Sequence, residues 1–217
     1  MQRPAFVAFT GVDRTELLPG MLALSARYPI EWGVLIDPEQ QARALFPAAE
    51  ARAVLTSERR LSWAAHVCGG LAQTIAEGGD IDHSALAGFR RVQVNHGFKG
   101  SSATQIAHAR DFGRRLRLRP VLQCTDAFPA DPGVDWLYDV SFGTGVRPAF
   151  WPELNPQGPF CGYSGGFGPD TAVAILEQIR PPAGVAYWID MESGVRSDGL
   201  MDLDKCARVC ERVFGPS

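Results

Sequence analysis

The feature that most constrains the fold of this chain is a repeated switch between short β-rich runs and longer helical stretches. Alternating β and α units favour a parallel sheet covered by helices, and eight of them are enough to close a barrel. The predicted strands are 5–10, 31–36, 61–67, 91–95, 120–123, 136–141, 160–163 and 186–191. We therefore predict a single (β/α)8 TIM barrel.

Helical periodicity fills most of the gaps between these strands. The predicted helices lie within 17–28 and 47–59, from residue 70, from residue 100 to about 116, and from about residue 170. The turn Gly100-Ser-Ser102 offers an N-cap for the fourth of these. Six prolines interrupt the connections after strands five and six, so the helices there are expected to be short or absent. No break in composition divides residues 1–217, and we predict one domain.

Composition excludes several classes of protein. A formal charge of −3 gives no field for nucleic acid or an anionic membrane, and no apolar run is long enough for a membrane span. Five scattered cysteines without a Cys-x-x-Cys pair suggest neither a disulfide framework nor a structural zinc site. Neither Lys99 nor Lys205 stands on a predicted strand, which argues against a Schiff-base aldolase. We expect a cytoplasmic protein, and the excess of arginine over lysine indicates a GC-rich bacterial genome.

Polar residues stand at the end of nearly every predicted strand. They are Thr10, Asp13, Asp37, His66, Cys68, Gln93, Asn95, His96, Gln123, Asp139, Ser164, Asp190 and Glu192. In barrels of this kind the chemistry lies at the C-terminal ends of the strands, so these side chains share one rim. The number of hydrogen-bonding groups favours a rim that binds a ligand.

Three glycine-bearing turns follow strands in the last third of the chain. They are Gly143-Thr-Gly145 after Asp139, Ser164-Gly-Gly-Phe-Gly-Pro169, and Asp190-Met-Glu-Ser-Gly-Val-Arg196. The sequences and spacing of these turns resemble those of the phosphoribosylanthranilate isomerases, the sugar-phosphate barrels of tryptophan biosynthesis. The resemblance covers about residues 136–204 and is only topological before them. It implies a barrel of the ribulose-phosphate-binding type.

The resemblance also implies roles for particular residues. Asp139 stands where the family keeps the acid that protonates the ribose ring oxygen. Thr10 stands where the family has a cysteine as general base, and a threonine hydroxyl does not take a carbon-bound proton unless another group activates it. His66 is the candidate replacement base because imidazole titrates near neutral pH, and Asp13 or Cys68 are further candidates.

The remaining candidates would bind the substrate. Glycines beyond a strand let main-chain N–H groups approach an anion, and two such turns side by side form a phosphate cradle. We assign the phosphate to Gly165, Gly166, Ser193 and Gly194. The residues expected to contact the rest of the substrate are Gln93, Asn95, Gln123, Ser164 and Asp190.

The predicted function is an acid/base isomerisation of a small phosphorylated sugar or related metabolite other than phosphoribosylanthranilate. No cofactor or metal is required, no nucleic-acid or membrane partner is expected, and the chain would act as a monomer or homodimer. Two alternatives stay open. One is a barrel that binds a phosphometabolite without catalysis, and the other is a metal-dependent lyase or hydrolase that uses His66 and the acidic rim.

Overall fold

The computed structural model describes residues 2–97, 100–141 and 143–216 and shows a closed barrel of eight parallel strands in chain order. The strands are β1 Phe6–Thr10, β2 Ile30–Ile36, β3 Ser62–Val67, β4 Arg91–Val94, β5 Arg119–Cys124, β6 Asp135–Tyr138, β7 Cys161–Ser164 and β8 Tyr187–Met191. β1 pairs with both β2 and β8, which closes the sheet. The predicted barrel is thus confirmed.

The helices are α1 Leu18–Ser25, α2 Ala49–Ser57, α3 Gly69–Ala76, α4 Ala103–Leu116, α5 Ala172–Ile179 and α6 Leu203–Phe214, with 3-10 turns at Thr15–Leu17, His83–Leu86 and Ser193–Val195. Ser102 caps α4, as the Gly100-Ser-Ser102 turn indicated, and it also forms a capping box with Gln105. Among the described residues no helix follows β5 or β6, in agreement with the proline argument. No described helix has the length and apolarity needed to cross a membrane. Lys99 lies outside the described residues, and Lys205 lies on α6.

Two apolar layers hold the barrel together. The larger one lies between the strands and the surrounding helices, and it includes Trp32 and Trp136. The smaller one fills the inside of the barrel with Ala8, Val121, Leu137 and Trp188. Because side chains alternate along a strand, the residues two positions further along β1, β5, β6 and β8 face the upper, C-terminal end of the barrel interior.

An ion cluster closes the lower end of the barrel. Arg91 of β4 forms salt bridges of 2.7 Å to Glu31 and 3.1 Å to Asp135. Its guanidinium group lies 4.2 Å from the ring centroid of Trp188. Gly162 makes room for that indole, since a Cβ atom there would lie 2.2 Å from Trp188. Solvent therefore reaches the interior from the opposite end.

Two local features differ from the sequence prediction. β6 ends at Tyr138 rather than 141, because the Asp139 carboxylate accepts a hydrogen bond from the Ser141 N–H and bends the chain into a turn. A short hairpin, β9 Arg196–Ser197 with β10 Leu200–Met201, was not predicted. Asp198 and Gly199 both have positive φ, the geometry of a two-residue hairpin turn.

Candidate active site

A cavity of about 300 Å³ opens at the C-terminal end of the barrel. Eleven of the twelve site residues predicted from the sequence line it. They are Thr10, His66, Gln93, Asn95, Gln123, Asp139, Ser164, Gly165, Gly166, Asp190 and Ser193. Parallel strands all place their C-terminal ends at the same rim, which explains why residues so far apart in the chain converge.

Thr10, His66 and Asp190 form a hydrogen-bonded group at the base of the cavity. The Thr10 hydroxyl donates to Oδ2 of Asp190 at 3.0 Å and lies 3.4 Å from Nε2 of His66. Thr10 and His66 come from β1 and β3, and Gly33 of the intervening β2 leaves the space between them. A Cβ atom at Gly33 would lie 2.7 Å from the Thr10 hydroxyl and 2.9 Å from His66 Nε2. The contact therefore depends on a glycine at that position.

The environment of Asp190 favours its protonated form. Burial raises the pKa of this carboxyl group well above its usual value, and the nearby carboxyls of Asp139, Glu192 and Glu31 raise it further. The Thr10 hydrogen bond opposes this effect only in part. Glu192 also lines the cavity, and burial raises its pKa against the attraction of Arg196. These surroundings thus favour the carboxylic acid form of Asp190, the form that can donate a proton.

His66 is neutral in this setting. Burial lowers the pKa of its imidazole to about 3, and the positive charge of Arg91 contributes to the shift. An imidazole with so low a pKa is a weak proton acceptor. It serves better as a neutral hydrogen-bonding group beside Thr10.

Asp139 is as deeply buried as Asp190, but more hydrogen-bond donors surround its carboxylate. Its Oδ1 accepts hydrogen bonds from the N–H and the hydroxyl of Ser141, each at 2.8 Å, and Oδ2 accepts one from the Gln123 amide at 3.1 Å. Donors therefore reach both oxygens and fix the plane of the carboxylate. This fixed carboxylate lines the same cavity as Asp190.

Amide side chains cover the wall formed by β4. Gln93 donates to Oδ1 of Asn95 at 2.8 Å, and Asn95 donates to the Cys68 sulfur at 3.3 Å. Burial raises the pKa of the Cys68 thiol, against the effect of the Asn95 hydrogen bond. This wall offers neutral donors and acceptors suited to hydroxyl groups.

The turn after β7 presents main-chain N–H groups. Gly165 and Gly166 have φ values of +106° and +75°, which residues other than glycine rarely adopt. Within residues 2–97, 100–141 and 143–216, no protein acceptor hydrogen-bonds the N–H of Gly165, Gly166 or Ser193. Gly194 does not line the cavity. A Cβ atom there would lie 1.9 Å from the carbonyl oxygen of Phe167, so this glycine lets the turns after β7 and β8 pack closely.

Comparison with solved structures gives clear matches to this architecture. Phosphoribosylanthranilate isomerase from Thermotoga maritima, as monomers of a dimeric protein, matches with a TM-score of 0.65 and 15% identity over 98% of this chain and 100% of the other. The enzyme from Pyrococcus furiosus gives 0.63 and 12% identity, over 97% and 99% of the two chains. This chain has the phosphoribosylanthranilate isomerase fold.

That fold is shared more widely. A mutant tryptophan synthase α-subunit from Pyrococcus furiosus matches with a TM-score of 0.54 and 13% identity over the full length of both chains. No family model and no curated protein sequence matches this chain. Because identities this low describe architecture alone, the chemistry of this isomerase-fold barrel has to be argued from its own side chains.

Several residues of the cavity escaped the sequence prediction. Glu192 was recognised on the rim without a role, and Ser141 and Leu35 were not singled out as site residues. The two-residue alternation along β2, which places Leu35 on the same face as Gly33, was an available signal. The turn glycines Gly143 and Gly145 also line the cavity, and the family-like motif already contained them.

Other rim residues lie elsewhere in this isomerase-fold barrel. Asp13 does not line the cavity, and its carboxylate pairs with Arg196 at 3.1 Å and Arg14 at 2.7 Å. Nε2 of His96 lies 2.8 Å from the Ser101 hydroxyl. Among the described residues, no group of three or more His, Cys, Asp or Glu side chains is placed to hold a metal ion. No described lysine or arginine lines the cavity, and most of the ionisable side chains that do line it are carboxyl groups.

Proposed function

We propose that this barrel binds a small phosphorylated sugar or a related metabolite in its cavity and catalyses an acid/base isomerisation. The observation that carries the proposal is the contrast between two aspartates of one cavity. Asp190 is buried with a raised pKa, whereas Asp139 has hydrogen-bond donors on both oxygens. Two carboxyl groups in one cavity, of which Asp190 has a raised pKa, supply a candidate acid and a candidate base for a single site.

In this proposal Asp190 donates a proton and Asp139 accepts one. The resemblance in the C-terminal third gave Asp139 the role of acid, and the hydrogen bonds now favour an exchange of roles. Thr10 acts as a positioning residue, because its hydroxyl holds Oδ2 of Asp190. His66, neutral and 3.4 Å from Thr10, completes that arrangement. Gln93, Asn95, Gln123 and Ser164 would bind hydroxyl groups of the substrate.

The phosphate end of the substrate would lie against the turns after β7 and β8. Its ligands would be the N–H groups of Gly165, Gly166 and Ser193, with Gly194 holding the two turns together. A phosphate bound by main-chain groups needs no arginine or lysine in the cavity. The acidic residues would then act at the opposite end of the substrate, on its carbon skeleton.

A phosphorylated metabolite as substrate accords with a cytoplasmic bacterial enzyme, acting as a monomer or homodimer. The competing function is binding without catalysis. It is favoured by Thr10, since the position that bears a thiol base in the isomerases here carries a hydroxyl that donates to Asp190. The two functions differ in whether the bound ligand exchanges hydrogen with solvent.

The experiment has two stages. Purified protein is screened by thermal shift against inorganic phosphate, phosphorylated pentoses and hexoses, and a product analogue of phosphoribosylanthranilate isomerase, because a ligand that binds only the folded state raises its stability. Each stabilising sugar phosphate is then incubated with the protein in D₂O and followed by NMR. We expect deuterium at a carbon next to the carbonyl, together with an isomerised product.

The variants Asp139→Asn and Asp190→Asn are compared in the same assay. Each is expected to bind the ligand and to lose turnover by about 10²-fold or more, the usual contribution of a positioned acid or base. Full turnover in Asp139→Asn would refute the acid/base assignment. Binding without deuterium exchange in the wild-type protein would establish the non-catalytic alternative.

A further inference from the structure

A second cavity lies outside the barrel, in the helical layer beside β2. It measures about 590 Å³ and is bounded by α2, the loop after β2, α3 and the segment around the 3-10 turn His83–Leu86. Its apolar wall includes Ile36, Ala53 and Leu71. It shares no lining residue with the cavity at the barrel mouth.

Arg52 is the unusual residue of this cavity. It stands on the same face of α2 as the buried residues Leu55 and Thr56, three and four positions further on, and only 8% of its surface is exposed. Its guanidinium group has no hydrogen-bond or salt-bridge partner in the described part of the chain. Its nitrogens are not among the fully buried unpaired atoms of the described residues, so they keep contact with solvent, and Arg52 lines the cavity.

The surrounding charges do not supply the missing partner. Glu50 is exposed on the same helix and acts on Arg52 only at long range. The carboxylate of Asp82 lines the cavity but accepts a hydrogen bond from the N–H of Ser84, where it caps the 3-10 turn. Arg59, an exposed arginine, also lines the cavity and adds positive charge there.

We propose that this outer cavity binds a small organic anion, with a carboxylate or phosphate on Arg52 and Arg59 and an apolar body against Ile36, Ala53 and Leu71. Two guanidinium groups match the geometry of such anions. The proposal is independent of the chemistry assigned to the barrel mouth.

The probes are inorganic phosphate, phenyl phosphate and benzoate, tested by calorimetric titration of the whole protein. The Gly166→Asp variant serves as the background, so that the barrel mouth does not contribute phosphate binding. We expect phenyl phosphate or benzoate to bind better than inorganic phosphate, because only they carry an apolar body. The comparison of those two distinguishes a phosphate ester from a carboxylate as the preferred group.

Arg52→Met is the decisive variant, and Arg208→Met, an exposed arginine of α6, is its matched control. Arg52→Met should weaken binding about tenfold or more, as expected for a lost charge-assisted hydrogen bond. The melting temperature of the ligand-free protein is measured alongside, so that a loss of binding through unfolding is recognised. The control should change neither quantity. Equal binding by Arg52→Met and its background, or no binding of any probe, would overturn the proposal.

Discussion

The hydroxyl group of Thr10 donates a hydrogen bond of 3.0 Å to Oδ2 of Asp190, across the seam where β1 pairs with β8. The contact joins the first and last strands of the barrel at the cavity. In the function proposed above, the Thr10 hydroxyl orients a buried carboxyl group whose pKa is raised by burial, in place of the thiolate base that the resemblance implies for this position.

Asp190→Asn should change stability in a pH-dependent way. The native protein holds the proton on Asp190 to a higher pH than the unfolded chain, where the pKa is near its usual 3.8. Between these two values the native state binds more protons, so the free energy of unfolding falls as pH rises. Asparagine does not ionise, so the Asp190→Asn variant should not lose stability in this way as pH rises. Thermal melts should show a higher melting temperature for Asp190→Asn at pH 8 and near equality with the wild type at pH 3.

Asp202→Asn provides a control of opposite sign. Hydrogen bonds from Ser197 and from the N–H groups of Lys205 and Asp204 lower the pKa of Asp202. Its ionised form therefore stabilises the fold above the usual pKa, and that contribution is lost as pH falls. Asp202→Asn should lower the melting temperature at pH 8 only. Identical pH profiles for both variants would contradict the assignment of a protonated Asp190.

Gly166→Ala should weaken phosphate binding more than it weakens the fold. Gly166 has a φ of +75°, and Gly184, in the loop before β8, has a φ of +82°, so alanine costs about 1 kcal/mol of strain at either position. Only at Gly166 does the added methyl group reach another residue, 3.0 Å from Cβ of Arg147. We expect affinity for a stabilising sugar phosphate, measured by titration, to fall about tenfold in Gly166→Ala and to stay unchanged in Gly184→Ala. Equal affinities in the two variants would place the phosphate elsewhere.

Cys68 should report on occupancy of the barrel cavity. Of the five cysteines it alone is partly exposed, and it lines the cavity. Ellman's reagent should therefore label one thiol in the native protein, and labelling should accelerate above pH 9 because burial raises the pKa of this thiol. A sugar phosphate that stabilises the protein should slow the reaction, and Cys68→Ser should abolish it. Unchanged labelling in the presence of a saturating ligand would show that the ligand binds outside this cavity.

Arg91→Met should destabilise the protein strongly. The substitution leaves Glu31 without its 2.7 Å salt bridge and Asp135 without its 3.1 Å one, both of them buried carboxyls. Breaking a buried ion pair from one side costs about 3–5 kcal/mol. Urea denaturation should show a loss of this size. The control is Arg114→Met, which removes an exposed ion pair with Asp111. Its free energy of unfolding should stay within about 0.5 kcal/mol of the wild-type value. A similarly small effect of Arg91→Met would mean that the lower ion cluster does not hold the barrel closed.

Features that depend on a few neighbouring residues were predicted correctly from the sequence. The cap at Ser102 and the proline-rich connections after β5 and β6 depend on a few neighbouring residues, and the structure agrees with both. The hairpin at Asp198 and Gly199 carried a local turn signal that was overlooked. Convergence of the rim residues also followed from the sequence, since parallel strands of a barrel all end on one side.

The sequence by itself determined the eight-unit barrel and most of the residues that line the cavity, because the hydrophobic periodicity and the order of strands and helices are local features of the chain. Only the tertiary structure decided the surroundings of those residues. The low pKa of His66 and the raised pKa of Asp190 arise from burial, together with charges on other strands such as those of Arg91 and Glu31. The approach of Thr10 to His66 likewise requires the absent side chain of Gly33 on the strand between them. Such effects depend on distances across the barrel, which no spacing along the chain specifies.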